Sequence, residues 1–254
     1  MQTLPIITIL ALGALALPAH AEDEAGVTPY RPSVSSPAQL PLAGQLEFEL
    51  GGLNTKQDET RRASLPYTFK LAFNEQWGVL LGGEAYVSAR DVDGQRERGV
   101  GDTNLVLKRA FLIDSATAFG LELGVKMPTA KDSIGSGKRD YTMNGIFSRD
   151  LGSVHMDANL NFSRLGQVDA DTGRTQTGAS ASFSVPLAEK WGLTGELSGT
   201  RRRGVDDTAQ ALVAATYSPN KRLAIDFGVA RGLNAASPDW SLFSGVVMPL
   251  ARLW

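Results

Sequence analysis

A chain of 254 residues with 43% hydrophobic and 20% charged side chains and a formal net charge of −2 is long enough for one large all-β domain. It has no basic excess with which to neutralise phosphates, so nucleic acid is not an expected partner. Its mean hydropathy of −0.11 is too polar for a bundle of membrane-spanning helices, and the lack of cysteine excludes disulfides, thiolate metal sites and cysteine nucleophiles.

The opening stretch, MQTLPIITILALGALALPAHA, has an apolar core from Ile6 to Leu17 followed by Ala19-His20-Ala21. Small residues at the two positions a signal peptidase reads predict a signal peptide over 1–21, although no Lys or Arg precedes the apolar core. A membrane anchor would need about twenty apolar residues, more than this run supplies. Residues 22–44 then carry Pro29, Pro32, Pro37 and Pro41 among Ser and Ala without periodicity. This predicts a Pro-rich N-terminal arm, extended or periplasmic.

From 45 to 254 the pattern is alternation. In VHMDANLNFS, the apolar Val154, Met156, Ala158, Leu160 and Phe162 interleave with His155, Asp157, Asn159, Asn161 and Ser163. Side chains of a strand point alternately to opposite faces, so this segment presents one apolar and one polar face. Similar segments are expected at 45–53, 62–74, 77–88, 101–111, 117–127, 139–149, 154–165, 177–185, 191–201, 208–217, 223–230 and 240–254. That makes about twelve strands, most near the length a tilted strand needs to cross a bilayer.

Alternation alone fits a sandwich whose apolar face meets a second sheet, or a barrel whose apolar face meets lipid. The connections discriminate. NEQ, LIDSA, DLGS, LAEK and SPNKR are short, and they alternate with the longer NTKQDET, RDVDGQRERGV, PTAKDSIGSGK, GQVDADTGRTQ, RRGVDD and RGLNAASP. Outer-membrane barrels sort their loops this way, with tight periplasmic turns and longer extracellular loops. Phe73, Trp77, Phe111, Phe147, Trp191, Tyr217 and Trp254 fall beside the short turns or at the chain end, and Tyr67, Tyr141 and Trp240 lie nearer the long loops. Those positions suit the two aromatic girdles of a membrane protein.

Residues 45–254 are therefore expected to form an all-β, antiparallel, up-and-down transmembrane β-barrel in the bacterial outer membrane. Outer-membrane lipid and lipopolysaccharide are the expected surroundings. Trp254, with Leu250, Met248 and Val246 at alternate positions before it, partly matches the terminal signal read by the barrel-assembly machinery; Arg252 departs from it. Pro249 should sit where the ladder needs no donor.

The segments QLEFELG at 45–51, RGVGDTNLVLK at 98–108, VKMPTAKDSIGSGKRDY at 125–141 and FSRDLG at 147–152 resemble the outer-membrane family named for the meta-pathway of phenol degradation, whose members are called transporters. The resemblance implies a channel for aromatic or other hydrophobic small molecules and brings no catalytic residues with it. Read from the residues, Gly99, Gly101, Pro128 and Gly137 shape loop-to-strand junctions.

Inward parity gathers Glu47, Glu49, Lys70, Glu84, Asp102, Lys108, Glu122, Lys126, His155, Asp157, Asn159, Glu196 and Asp226 as lumen-lining candidates. Charges there must pair across the barrel or touch water. With His20 in the signal peptide, His155 is the only histidine left for a Ser-His-Asp centre. Ser163 lies about 26 Å away along the strand, and Asp157 only two residues on. The outer-membrane phospholipase family uses Ser and His on the lipid-facing side, the wrong parity for His155. No His pair and no carboxylate cluster has ligand spacing, so neither enzyme activity nor a metal or other cofactor is expected. Two functions stay open: passive passage of small solutes, and a structural or surface-binding barrel without transport. In a hydrated lumen, an arginine at position 159 would be tolerated.

Overall fold

A computed structural model describes residues 26–254; the expected signal peptide lies outside them. The described residues form thirteen strands and no helix: β1 (Gln45–Gln57), β2 (Thr60–Ala72), β3 (Trp77–Arg90), β4 (Arg96–Gly99), β5 (Thr103–Leu112), β6 (Thr117–Met127), β7 (Asp140–Leu151), β8 (Val154–Arg164), β9 (Thr175–Ala188), β10 (Trp191–Arg202), β11 (Val205–Asn220), β12 (Leu223–Gly232) and β13 (Trp240–Arg252). Every strand but β4 pairs antiparallel with its neighbours around a closed ring. β13 zips onto β1 from Gln45↔Arg252 to Lys56↔Trp240, so the twelve-strand ring has no open edge, and only β4, outside the ring, has one. Closure matters in lipid, where an open edge would strand backbone N–H and C=O groups without water.

The wall follows the alternation of the sequence. On β8, Leu160 is 53% exposed on the outer face while the adjacent Asn159 is 7% exposed inside. Phe73, Trp77, Phe111, Trp191 and Trp254 are exposed around the short-turn end, where Trp191 also stacks on Tyr217 at 4.8 Å. A barrel with an apolar exterior and a polar interior has the two-solvent division of a transmembrane barrel.

Two connections expected as long loops are tight turns. β1 and β2 run on until only Asp58 and Glu59 separate them, and β10 and β11 until only Arg203 and Gly204 do. Asp58 (φ 50°) and Gly204 (φ 75°) supply the left-handed residues such turns need. The strands overshoot because polar side chains on both faces are no obstacle once a strand has left the membrane. In the long segment after β3, the chain also folds back as β4, a short strand that the sequence pattern did not separate from its loop. Four prolines lie in strands, and each falls at a register shift of the ladder: Pro66 between β2 and β3, Pro186 between β9 and β10, Pro219 between β11 and β12, and Pro249 beside Leu250, the residue of β13 left without a partner on β1.

Replacing Leu160 with arginine sets a cation in the apolar belt and is expected to lower stability by roughly 2 to 4 kcal/mol, read from denaturant unfolding in lipid vesicles.

Candidate functional site

Residues 26–44 do not hang below the barrel; they run inside it. The segment enters at the short-turn end, where the Val27 N–H donates to Lys221 O (2.8 Å), and leaves there as Gly44 N–H donates to Ala72 O (2.9 Å). Between those points it has no regular secondary structure, so its peptide groups need partners from elsewhere. The inward face of the wall supplies them. Glu47 accepts from the Thr28 N–H (3.0 and 3.1 Å) and Glu49 from the Tyr30 N–H (2.8 Å). Glu196 accepts from the Ser35 N–H (2.9 Å) and Ser148 Oγ from the Ala38 N–H (2.8 Å). Asn159 grips Ser36 twice, accepting from its N–H (2.8 Å) and donating to its carbonyl (2.9 Å). An arginine at 159 would therefore meet the arm rather than water, which corrects the tolerance expected of a hydrated lumen.

Two lysines complete the socket. The Lys70 ammonium lies 2.9 Å from Glu47 and 2.6 Å from Glu49 and also donates to Thr28 O. Lys108 pairs with Glu122 (3.0 Å) and donates to Pro37 O (2.5 Å). Both lysines are fully buried. The ring of Tyr30 lies between them, with Lys70 4.4 Å and Lys108 4.0 Å from its centroid, and its hydroxyl donates to Gln39 O at 2.8 Å. The aromatic quadrupole offsets part of the repulsion between two cations held this close.

Arg31 makes the most specific contact of the arm. Its guanidinium forms a fork with Asp226, two bonds of 3.0 Å, over a wall patch made of Gly51 and Gly245, which face each other across β1 and β13. A Cβ at Gly51 would stand 2.4 Å from Arg31 Nη1, and one at Gly245 2.3 Å from Nε. The two glycines thus open the space in which the arginine lies. Parity singled out Asp226; nothing in the local pattern tied it to Arg31, 195 positions away.

Glu84, Asp102 and Lys126 lie elsewhere, in the long-loop half. Glu84 pairs with Arg62 at 2.6 Å, a residue of the same inward parity that the sequence reading omitted. Lys126 pairs with Asp140 (2.7 Å) and Asp102 (3.5 Å). Asp102 also accepts from the Ala130 and Ser136 N–H groups (3.0 and 3.4 Å), folding the 128–139 loop back over the barrel mouth. With the upper side of the arm these residues bound a cavity of about 710 Å³, whose apolar lining includes Leu80, Val106 and Ile134. Tyr67 and Gly83, on the outward parity, border it too. They can do so because β3 leaves β5 after Gly82↔Asn104 and turns to pair with β4.

His155 stands below the arm, beside a second cavity of about 540 Å³. Its Nδ1 lies 2.6 Å from Asp150 and its Nε2 3.2 Å from Asp157. The hydroxyl of Ser148 donates to Asp157, not to the imidazole. That order does not activate a nucleophile, which needs the serine on the histidine.

No protein-family model matches the chain, and no curated protein matches its sequence. Solved structures do resemble its fold. The COG4313 outer membrane channel from Pseudomonas putida F1 is similar at TM-score 0.62 and 13% identity, over 91% of this chain and 100% of that one. The NanC porin is similar at 0.61 and 8%, over 81% and 100%, and the CymD monoaromatic hydrocarbon channel at 0.53 and 6%, over 84% and 90%. At such identities the likeness is one of architecture. It joins the apolar exterior and the closed ladder in making this a barrel of the bacterial outer membrane.

Two substitutions probe the socket. Lys70→Met leaves Glu47 and Glu49 buried without their cation and is expected to cost about 3 to 5 kcal/mol, measured by denaturant unfolding in vesicles. Gly245→Val fills the space under Arg31 and is expected to release that part of the arm. A cysteine introduced at Ser33 should then react with a small maleimide about tenfold faster, the loss of one charge-assisted contact.

Proposed function

We propose that the chain is an outer-membrane channel for small, largely apolar solutes, with its long loops extracellular, in which the N-terminal arm divides the lumen and the cavity above it receives the solute. The observation that carries this reading is the cavity of about 710 Å³ in the long-loop half, large enough for a small organic molecule. Its charged groups are already paired, Arg62 with Glu84, Lys126 with Asp102 and Asp140, Arg31 with Asp226, Glu49 with Lys70 and Glu122 with Lys108. Leu80, Val106, Ile134 and Tyr67 are the apolar surfaces it offers to a guest, beside the neutral polar Thr68, Asn104 and Ser136. A cavity whose ions are already paired gains little by binding another ion and more by burying apolar area. Its contact with the outward-facing Tyr67 and Gly83 supports access for solutes that partition into the membrane. The likeness to a channel called a monoaromatic hydrocarbon channel, and the sequence resemblance to the meta-pathway transporters, agree with that choice.

The filled lumen favours a second reading, a structural or surface-binding barrel without transport. Uptake of a hydrophobic fluorescent probe by cells making the protein separates the two. The channel reading expects faster uptake than in cells without it. It also expects Val106→Asp, which places a carboxylate in the apolar part of the cavity, to lower that uptake severalfold while heat-modifiable mobility stays normal. Equal uptake with and without the protein would leave the structural barrel.

A further inference from the structure

We propose that the outer face of the β1 to β4 ribbon, at the long-loop end, is a binding strip for the phosphate groups of lipopolysaccharide. The strand register sets cations directly opposite one another across four consecutive strands. Lys56 of β1 pairs with Arg61 of β2, Arg61 with Arg90 of β3, and Arg90 with Arg96 of β4. Arg98, two residues along β4 from Arg96, lies on the same face.

That face is the outward one. On β2, Ser64 is buried inside and Leu65 is exposed outside, so Arg61 shares the face of Leu65. On β3, Val87 is fully buried inside, so Ser88 and Arg90 point out. Trp240 stands opposite Lys56 and closes the row on β13. The cations thus sit one or two rungs above the apolar belt, on the side that meets lipid, next to an aromatic of the interfacial girdle.

Like charges in directly opposed positions destabilise a sheet unless something neutralises them. Lys56 has Asp239 at 2.8 Å. Among the described residues, Arg61, Arg90, Arg96 and Arg98 form no ion pair, and all four are exposed. Nearby carboxylates are turned to other work. Asp91 accepts from the Gln95 N–H (2.8 Å), and Glu97, of the opposite parity, faces Ser133 at 3.3 Å. Glu59 and Asp93, in the adjoining turns, form no ion pair with any of the four either, so the row is open to a neutralising group from outside the chain. Arginine suits phosphate, since its planar fork meets two oxygens at once. The choice of anion rests on the orientation proposed above: with the long loops outside the cell, the anion within reach at this height, on the lipid-facing side, is a lipid A phosphate. The strip is independent of the cavity and of any transport.

The test compares the full-length protein with the triple variant Arg61→Gln/Arg90→Gln/Arg96→Gln, titrating detergent-solubilised barrel with bis-phosphorylated lipid A and counting bound lipid by native mass spectrometry. Heat-modifiable mobility verifies that each barrel is folded; should the triple variant fail that check, Arg90→Gln, at the centre of the row, replaces it. Lipid A affinity is expected to fall about tenfold or more in the variant, the loss of one or more charge-assisted contacts, and to fall similarly for dephosphorylated lipid A on the unaltered protein. Arg201→Gln/Arg203→Gln, at the end of β10 and in the β10–β11 turn, should leave it unchanged. Equal lipid A binding by the triple variant overturns the proposal. So does equal binding of dephosphorylated lipid A, an equal loss in the Arg201/Arg203 variant, or displacement of lipid A by equimolar phosphatidylglycerol or inorganic phosphate, since each would mean a site not built for this lipid.

Discussion

A chain with no regular structure inside a barrel must have its peptide groups satisfied by the barrel, and this requirement organises the interior. Residues 26–44 form no ladder, yet Glu47, Glu49, Glu196, Asn159 and Ser148 accept their N–H groups, while Lys70 and Lys108 donate to their carbonyls. The two ammoniums that do this are themselves buried and are neutralised by wall carboxylates, Lys70 by Glu47 and Glu49 and Lys108 by Glu122, whereas Glu196, which forms no ion pair among the described residues, is held by the Ser35 N–H. Arm and wall thus satisfy each other's polar groups. Tyr30, held between two lysines that would otherwise repel, is where the two demands meet.

The same constraint divides the lumen. Below the arm, His155 and Asp157 border a smaller vestibule at the short-turn end, with Asp150 on the far nitrogen of the imidazole. Above it, the ions pair along the wall and leave apolar side chains to line the larger cavity. Arg31 stands at the division. It spans from the arm to Asp226 over two glycines whose missing side chains make the space for it. The outer face obeys a different rule, since lipid offers no partner to a peptide group; there the ladder closes on itself and charge is confined to the rims.

Much of the barrel was legible because a strand's period of two writes its two faces directly into the sequence. Val154 to Phe162 on one parity and His155 to Asn161 on the other needed no tertiary information to be told apart, and the short turns marked where each pair of strands reversed. The tight turns at Asp58-Glu59 and Arg203-Gly204 were not legible, since polar residues on both faces look alike in a loop and in a strand beyond the membrane. β4 was hidden for the same reason.

By itself, then, the sequence determined the strands, their antiparallel order and which residues face inward, because these follow from local periodicity. Only the tertiary structure decided what the inward face is for. Arg31 meets Asp226 and Ser35 meets Glu196 across 195 and 161 residues of chain, and contacts of that range have no period to betray them. A proline-rich segment without alternation reads the same whether it is dissolved in water or threaded through a pore. The difference lies in the partners for its peptide groups, and closing the barrel is what brings those partners together.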